Sequence, residues 1–156
     1  MAQGPLSAYA GEIRACADRF GLDPQLVAAV VMTESAGKTS AYRYEPQFWA
    51  KYLAPKPEWA GENPERVSAS YGLMQVLYVT AKEVGFTASA PEYLFVPEIG
   101  LEFGCRKLRQ VLDWAKGTVP QALAAYNGGR VANAAPPYRN QTYVDRVLAW
   151  RARPLL

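Results

Sequence analysis

Prolines and glycines divide this chain into pieces in which apolar residues recur every three or four positions. That pattern restricts it to a fold made of short helices joined by sharp connections. Leu6, Tyr9, Ile13, Cys16 and Phe20 follow the pattern between Pro5 and Gly21, so one amphipathic helix is predicted there. Asp23-Pro24 offers an N-cap acceptor followed by proline at the first helical position. It predicts a helix through Leu26 and Val30 to about Ser35, stopped at Gly37. Pro97 opens a long helix with the stripe Leu101, Cys105, Leu108, Leu112 and Ala115, closed by Gly117. Shorter helices are predicted from Val76 to Val84, from a Thr118 cap to Tyr126, and from an Asn140 cap with Tyr143, Val144, Val147 and Leu148 inward. No segment alternates long enough to make a strand. The expectation is a mainly α, single compact helical domain over residues 1–156, with little or no β.

Composition narrows the chemistry. The chain has no histidine, which removes Ser-His and Cys-His catalysis and histidine metal sites together. Cys16 and Cys105 lack metal-ligand spacing and are expected as buried free thiols, with a disulfide as the alternative. Neither a metal nor a cofactor is expected. The net charge of +3 suits an anionic polymer but is too small to argue for nucleic acid. The longest apolar run, Leu26 to Met32, is too short to span a bilayer. Met1 to Pro5 shows no basic segment ahead of an apolar core, so the chain is expected to be made in the cytoplasm without a signal peptide. No feature calls for a partner subunit, and a monomer is expected.

Glu34 is the most informative residue. It follows Val31, Val30 and Val27 by three, four and seven positions, which puts its carboxyl on the apolar face of a helix. It also falls in the last turn, at the negative end of the helix dipole. Desolvation and the dipole both disfavour the ionised form and raise the pKa. A carboxylic acid that stays protonated near neutral pH is what protonating a glycosidic oxygen requires. On spacing alone, an exposed glutamate at a frayed helix end accounts for the pattern equally well.

Further motifs follow in order. After Glu34-Ser35 come Gly72-Leu73-Met74-Gln75-Val76, then Ala125-Tyr126-Asn127-Gly128-Gly129, then Tyr143 opening the final helix. This series, from about Leu22 to Leu148, resembles the catalytic domain of the soluble lytic transglycosylases, relatives of goose-type lysozyme. The resemblance implies a lysozyme-like fold and a peptidoglycan glycan strand as the partner. It implies that Glu34 is the single catalytic acid/base and that Tyr126, close to it, is the second catalytic residue. It further assigns Ser35, Met74, Gln75, Asn127 and Tyr143 to substrate contact. Core packing is the alternative for Met74, and a buried structural role is the alternative for Tyr143.

Three features depart from the family pattern: Gly100 stands where an asparagine usually precedes Leu-x-x-Gly, Leu77 stands where a methionine is common, and the segment between Glu34 and Gly72 is longer. These features are similar to those of phage-encoded members, which implies a phage lysis enzyme acting on the wall after export or release. The longer segment carries Tyr42, Tyr44, Phe48, Trp49, Tyr52 and Trp59, and a mixture of sugar-stacking and packing rings is expected. Glu45 is the candidate second acid in the cleft; pairing with Arg43 at the surface is its alternative. The implied reaction cleaves the bond between N-acetylmuramic acid and N-acetylglucosamine and leaves a 1,6-anhydro end. A hydrolytic muramidase on the same fold is the runner-up, and a non-catalytic wall-binding module the third reading.

Overall fold

The computed structural model describes residues 3–156. Met1 and Ala2, part of the stretch read above for a leader, lie outside the described residues. The chain is mainly helical, as the spacing predicts, and its helices start close to the predicted signals. A 3-10 turn, Ser7–Tyr9, leads into α1 (Ala10–Arg19). The Asp23 side chain accepts from the Gln25 backbone N–H at 3.0 Å, and Pro24 occupies the first turn of α2 (Pro24–Ser35). Every residue from Leu26 to Val31 is at most 2% exposed. This helix is therefore core on all sides except near its end. It stops one residue before Gly37, at Ala36, which takes the left-handed conformation itself (φ 53°).

A small antiparallel sheet follows, with strands β1 (Tyr42–Tyr44), β2 (Ala69–Tyr71) and β3 (Val76–Leu77) in that order. Tyr42 faces Tyr71 and Tyr44 faces Ala69 across one pair; Tyr71 faces Val76 across the other. Strands of two or three residues are too short for alternation to show, so they do not register in the sequence. The pairing also takes Val76 and Leu77 out of the helix predicted to start there, and α5 runs only over Tyr78–Glu83. Between β1 and β2 lie α3 (Pro46–Phe48), a π-helical turn (Trp49–Leu53), a 3-10 turn (Pro57–Trp59) and α4 (Pro64–Val67).

The long helix α6 (Pro97–Trp114) runs against α1, α5 and α7 (Val119–Gly128), while α8 (Gln141–Arg151) packs along α2 and α7. The predicted stripe of α6 is buried throughout. A second face carries Gly100 and Gly104, and these two glycines let neighbouring groups approach closely. A Cβ on Gly100 would stand 2.7 Å from the Leu94 carbonyl oxygen, and one on Gly104 would overlap the Met74 side chain. Met74 is fully buried there. Its assignment to substrate contact is thus corrected: the thioether fills the gap over Gly104, and core packing is its role.

Thr118 and Asn140 precede α7 and α8, but neither caps its helix with its side chain. Asn140 instead donates to the Ala124 carbonyl at 3.1 Å and to Asn127 Oδ1 at 2.9 Å, tying α8 to α7. Cys105 is buried and Cys16 half-buried, both as free thiols. Among the described residues, no helix is long and apolar enough to cross a membrane.

Candidate active site

The end of α2 opens into a cavity of about 410 Å³. Three walls meet there: the sheet with the segment after β1, the face of α6 around Lys107, and the C-terminal end of α7. Glu34 lines it, together with Glu45, Gln75, Tyr126 and Asn127. The structure therefore brings residues from motifs spread along the chain to one place.

Glu34 sits where the apolar face of α2 predicts. Its carboxyl is pushed up to about 6, chiefly by burial. Opposing that, the Tyr143 hydroxyl donates to Glu34 Oε2 at 2.9 Å, and the charges of Lys107 and Arg43 favour ionisation; Glu45 adds a smaller push upward. The group is thus poised to be protonated in weak acid and to exchange its proton near neutrality. Such a carboxyl serves as donor and acceptor in turn. The tyrosine in contact with it is Tyr143, from α8. Tyr126, the motif residue expected beside the glutamate, also lines the cavity. Its hydroxyl donates to the Met74 carbonyl at 2.8 Å and not to Glu34. Burial and the nearby Glu34 charge raise both phenols well above their ordinary value, so both remain donors.

Ser35 does not line the cavity. Its buried hydroxyl lies 2.8 Å from the Leu73 carbonyl and 3.1 Å from that of Val31, and accepts from the Gly37 backbone N–H at 3.2 Å. Assignment to substrate contact is therefore corrected for Ser35 as well. It joins the end of α2 to the loop 72–75 and so holds Glu34 and Gln75 in register. Gln75 faces the cavity from a left-handed backbone conformation (φ 48°), uncommon for a residue with a side chain. Its amide nitrogen donates to the Ala41 and Gly72 carbonyls at 3.0 and 3.1 Å, which holds that conformation. Asn127 lines the rim, with its side-chain oxygen accepting from Asn140.

The segment after β1 contributes Phe48 and Tyr52, whose ring centroids lie 4.9 Å apart. Phe48, Trp49 and Trp59 pack partly on the core, whereas Tyr42 and Tyr52 are each 46% exposed. The segment thus carries both packed and exposed rings. Glu45 lines the cavity and is also paired with Arg43 at 3.3 Å.

Sequence reasoning missed Lys107, Thr80 and Glu83, which also line the cavity. Lys107 lies off the apolar stripe of α6 and looks like a solvated surface residue. The signal was its spacing from Gly104 and Val111, three and four positions away on a second face that is also buried. Among the described residues, no three His, Cys, Asp or Glu side chains come together in a way that could hold a metal ion.

Residues 12–145 match the model of the transglycosylase SLT domain family. The chain belongs to that family. The SLT match takes in Glu34, the loop 72–75, Tyr126 and Tyr143. A transglycosylase of Enterobacteria phage PRD1 is 34% identical over 119 residues, covering 75% of this chain and 33% of the phage protein. An inactive mutant of the lytic transglycosylase Slt from Pseudomonas aeruginosa superposes with a TM-score of 0.69 at 24% identity. That alignment covers 92% of this chain and 23% of the larger protein, and it establishes the mainly helical, lysozyme-like SLT fold. The chain thus spans a third or less of the length of these relatives.

Proposed function

We propose that this SLT domain is a peptidoglycan lytic transglycosylase that cuts the β-1,4 bond between N-acetylmuramic acid and N-acetylglucosamine, with Glu34 as both acid and base. One observation carries the reading: a glutamate with its carboxyl near 6, held by Tyr143 at the wall of an open cavity. Glu34 gives its proton to the linking oxygen, and the bond from that oxygen to C1 of the muramic sugar breaks. The N-acetyl group of the same sugar assists departure. Ionised Glu34 then takes the proton of the sugar's C6 hydroxyl, whose oxygen closes on C1. The product is a 1,6-anhydro end, no water is consumed, and Glu34 returns to its starting state. One carboxyl serving both steps departs from the two-carboxylate scheme of most glycosidases. A hydroxyl of the same sugar has a high effective concentration and outruns water when the cleft is closed around it. Tyr52 and Phe48, on the segment after β1, are positioned to supply part of that closure.

Glu45 carries the second reading. It lines the same cavity, and a water held by its carboxylate would turn the reaction into hydrolysis. Its engagement with Arg43 weighs against that use. The phage relative and the long segment after β1 support a role in phage lysis, with the wall as the place of action.

Digestion of purified peptidoglycan followed by mass spectrometry tests the reading. Anhydro fragments lie about 18 mass units below hydrolysed ones, since water is not added. Fragments wholly of the reducible, hydrated kind would replace the transglycosylase with a muramidase. Intact strands would leave only a wall-binding module. Glu34→Gln, nearly isosteric, is expected to stop fragment release while keeping the fold.

A further inference from the structure

Lys107 is a residue of the cavity that no motif accounts for. It projects from α6, half-buried, and its Nζ lies 4.2 Å from the centroid of the Tyr126 ring. It shares the cavity with Glu34 and takes part in none of the ion pairs found among the described residues. A half-buried ammonium without a carboxylate partner loses hydration, and the ring face offsets part of that loss. Tyr126 is itself fixed by its bond to the Met74 carbonyl, so the cation rests on a rigid support.

We propose that Lys107 is a positioning residue for the reaction: its ammonium, seated on the Tyr126 ring, stabilises the carboxylate that Glu34 becomes once it has given up its proton. The inference rests on the acid/base reading of Glu34 and adds a residue to it. Before bond cleavage Glu34 is neutral and Lys107 charged. After proton transfer the two carry opposite charges in the same cavity, partly shielded from water, where attraction is stronger than in bulk solvent. Lys107 therefore favours the donor step, and its charge is present only when the ammonium is protonated.

The charged and titratable neighbours agree with this arrangement. Glu34 is faced by Lys107 from α6, Arg43 from β1, Glu45 just after it, Tyr126 from α7 and Tyr143 from α8. Lys107 is faced by Glu34 and, from α5, by Glu83. Burial pulls the Lys107 amine down to about 8, and both carboxylates push it back up. Between about 6 and 8, Glu34 is ionised and Lys107 charged; below about 6, Glu34 holds its proton and Lys107 is still charged.

Two titrations without substrate test the coupling. With 13C-labelled glutamate, Lys107→Met is expected to raise the Glu34 pKa by on the order of one unit, and Lys107→Arg to restore it. Coupling is reciprocal, so Glu34→Gln is expected to lower the Lys107 titration by a similar amount. In turnover on peptidoglycan, Lys107→Met should lower the plateau of kcat/KM by up to about tenfold, while the alkaline limb moves up by the same unit. A lysine that only packs on Tyr126 would change stability and leave both titrations and the limb in place. An unchanged Glu34 titration in folded Lys107→Met overturns the proposal, whatever happens to activity. Should Lys107→Met not fold, the Glu34→Gln arm decides, and an unmoved Lys107 there overturns it equally. A lytic Glu34→Gln variant would instead sink the acid/base reading, a result separable from either titration.

Discussion

Glu34 and Tyr143 stand 109 positions apart and meet across 2.9 Å, whereas the hydroxyl of the motif tyrosine Tyr126 donates to the Met74 carbonyl. The two phenols therefore have different consequences, and substituting each separates them. Tyr143→Phe removes the donor that orients the carboxyl and favours its ionised form. Its expected effect is a fall in kcat of about tenfold to a hundredfold through loss of alignment, with the alkaline limb of the pH profile displaced upward. Tyr126→Phe leaves the Met74 carbonyl, at a fully buried residue, without its donor, and is expected to cost about 1–3 kcal/mol of stability. Urea unfolding and pH-dependent kinetics on both variants check the contrast. Equal loss of stability, or an unmoved limb in Tyr143→Phe, would contradict it.

At the scale of the elements, the cleft depends on how closely the loop 72–75 sits on α6. Gly104 makes that approach, because any side chain there would enter the volume of Met74. Gly104→Ala gains up to about 1 kcal/mol of helix propensity but overpacks a full site. A net loss of roughly 1–3 kcal/mol is expected. Gln75 follows Met74 directly, so displacement of the loop should also lower kcat/KM on peptidoglycan. Thermal unfolding and turnover measured together would reveal a variant that is stabilised and fully active, and that result would refute the account. The helices themselves were readable from periodicity, since Pro24, Pro97, Gly85, Gly117 and Gly129 mark their ends by local chemistry. The sheet was not, because strands of two or three residues exist only through pairing between positions 42–44, 69–71 and 76–77.

For the whole molecule, Glu34 links function to folding. Its folded pKa of about 6 lies above the ordinary carboxyl value of 4.5, so the folded state holds the proton more tightly than the unfolded one. The stability this provides is fully present at low pH and is lost as pH rises through about 6. A shift of this size corresponds to about 2 kcal/mol. Glu34→Gln has no such dependence, so its stability relative to the parent should improve by about that amount between weak acid and pH 8. Denaturation curves at several pH values check this; parallel curves at all pH values would mean that Glu34 is not desolvated in the folded chain.

Periodicity, caps and the absence of histidine determined from sequence alone that the chain is mainly helical, and singled out Glu34 as the candidate acid. These are properties of residues within one or two turns of each other, so the linear pattern contains them. Tertiary structure decided which phenol touches Glu34, that Ser35 and Met74 face inward, and that Lys107 enters the cavity. Each of those outcomes depends on how α6, α7 and α8 pack against α2. Contacts between residues many tens of positions apart leave no period in the sequence, because they are set by the packing of helix faces and not by neighbours along the chain.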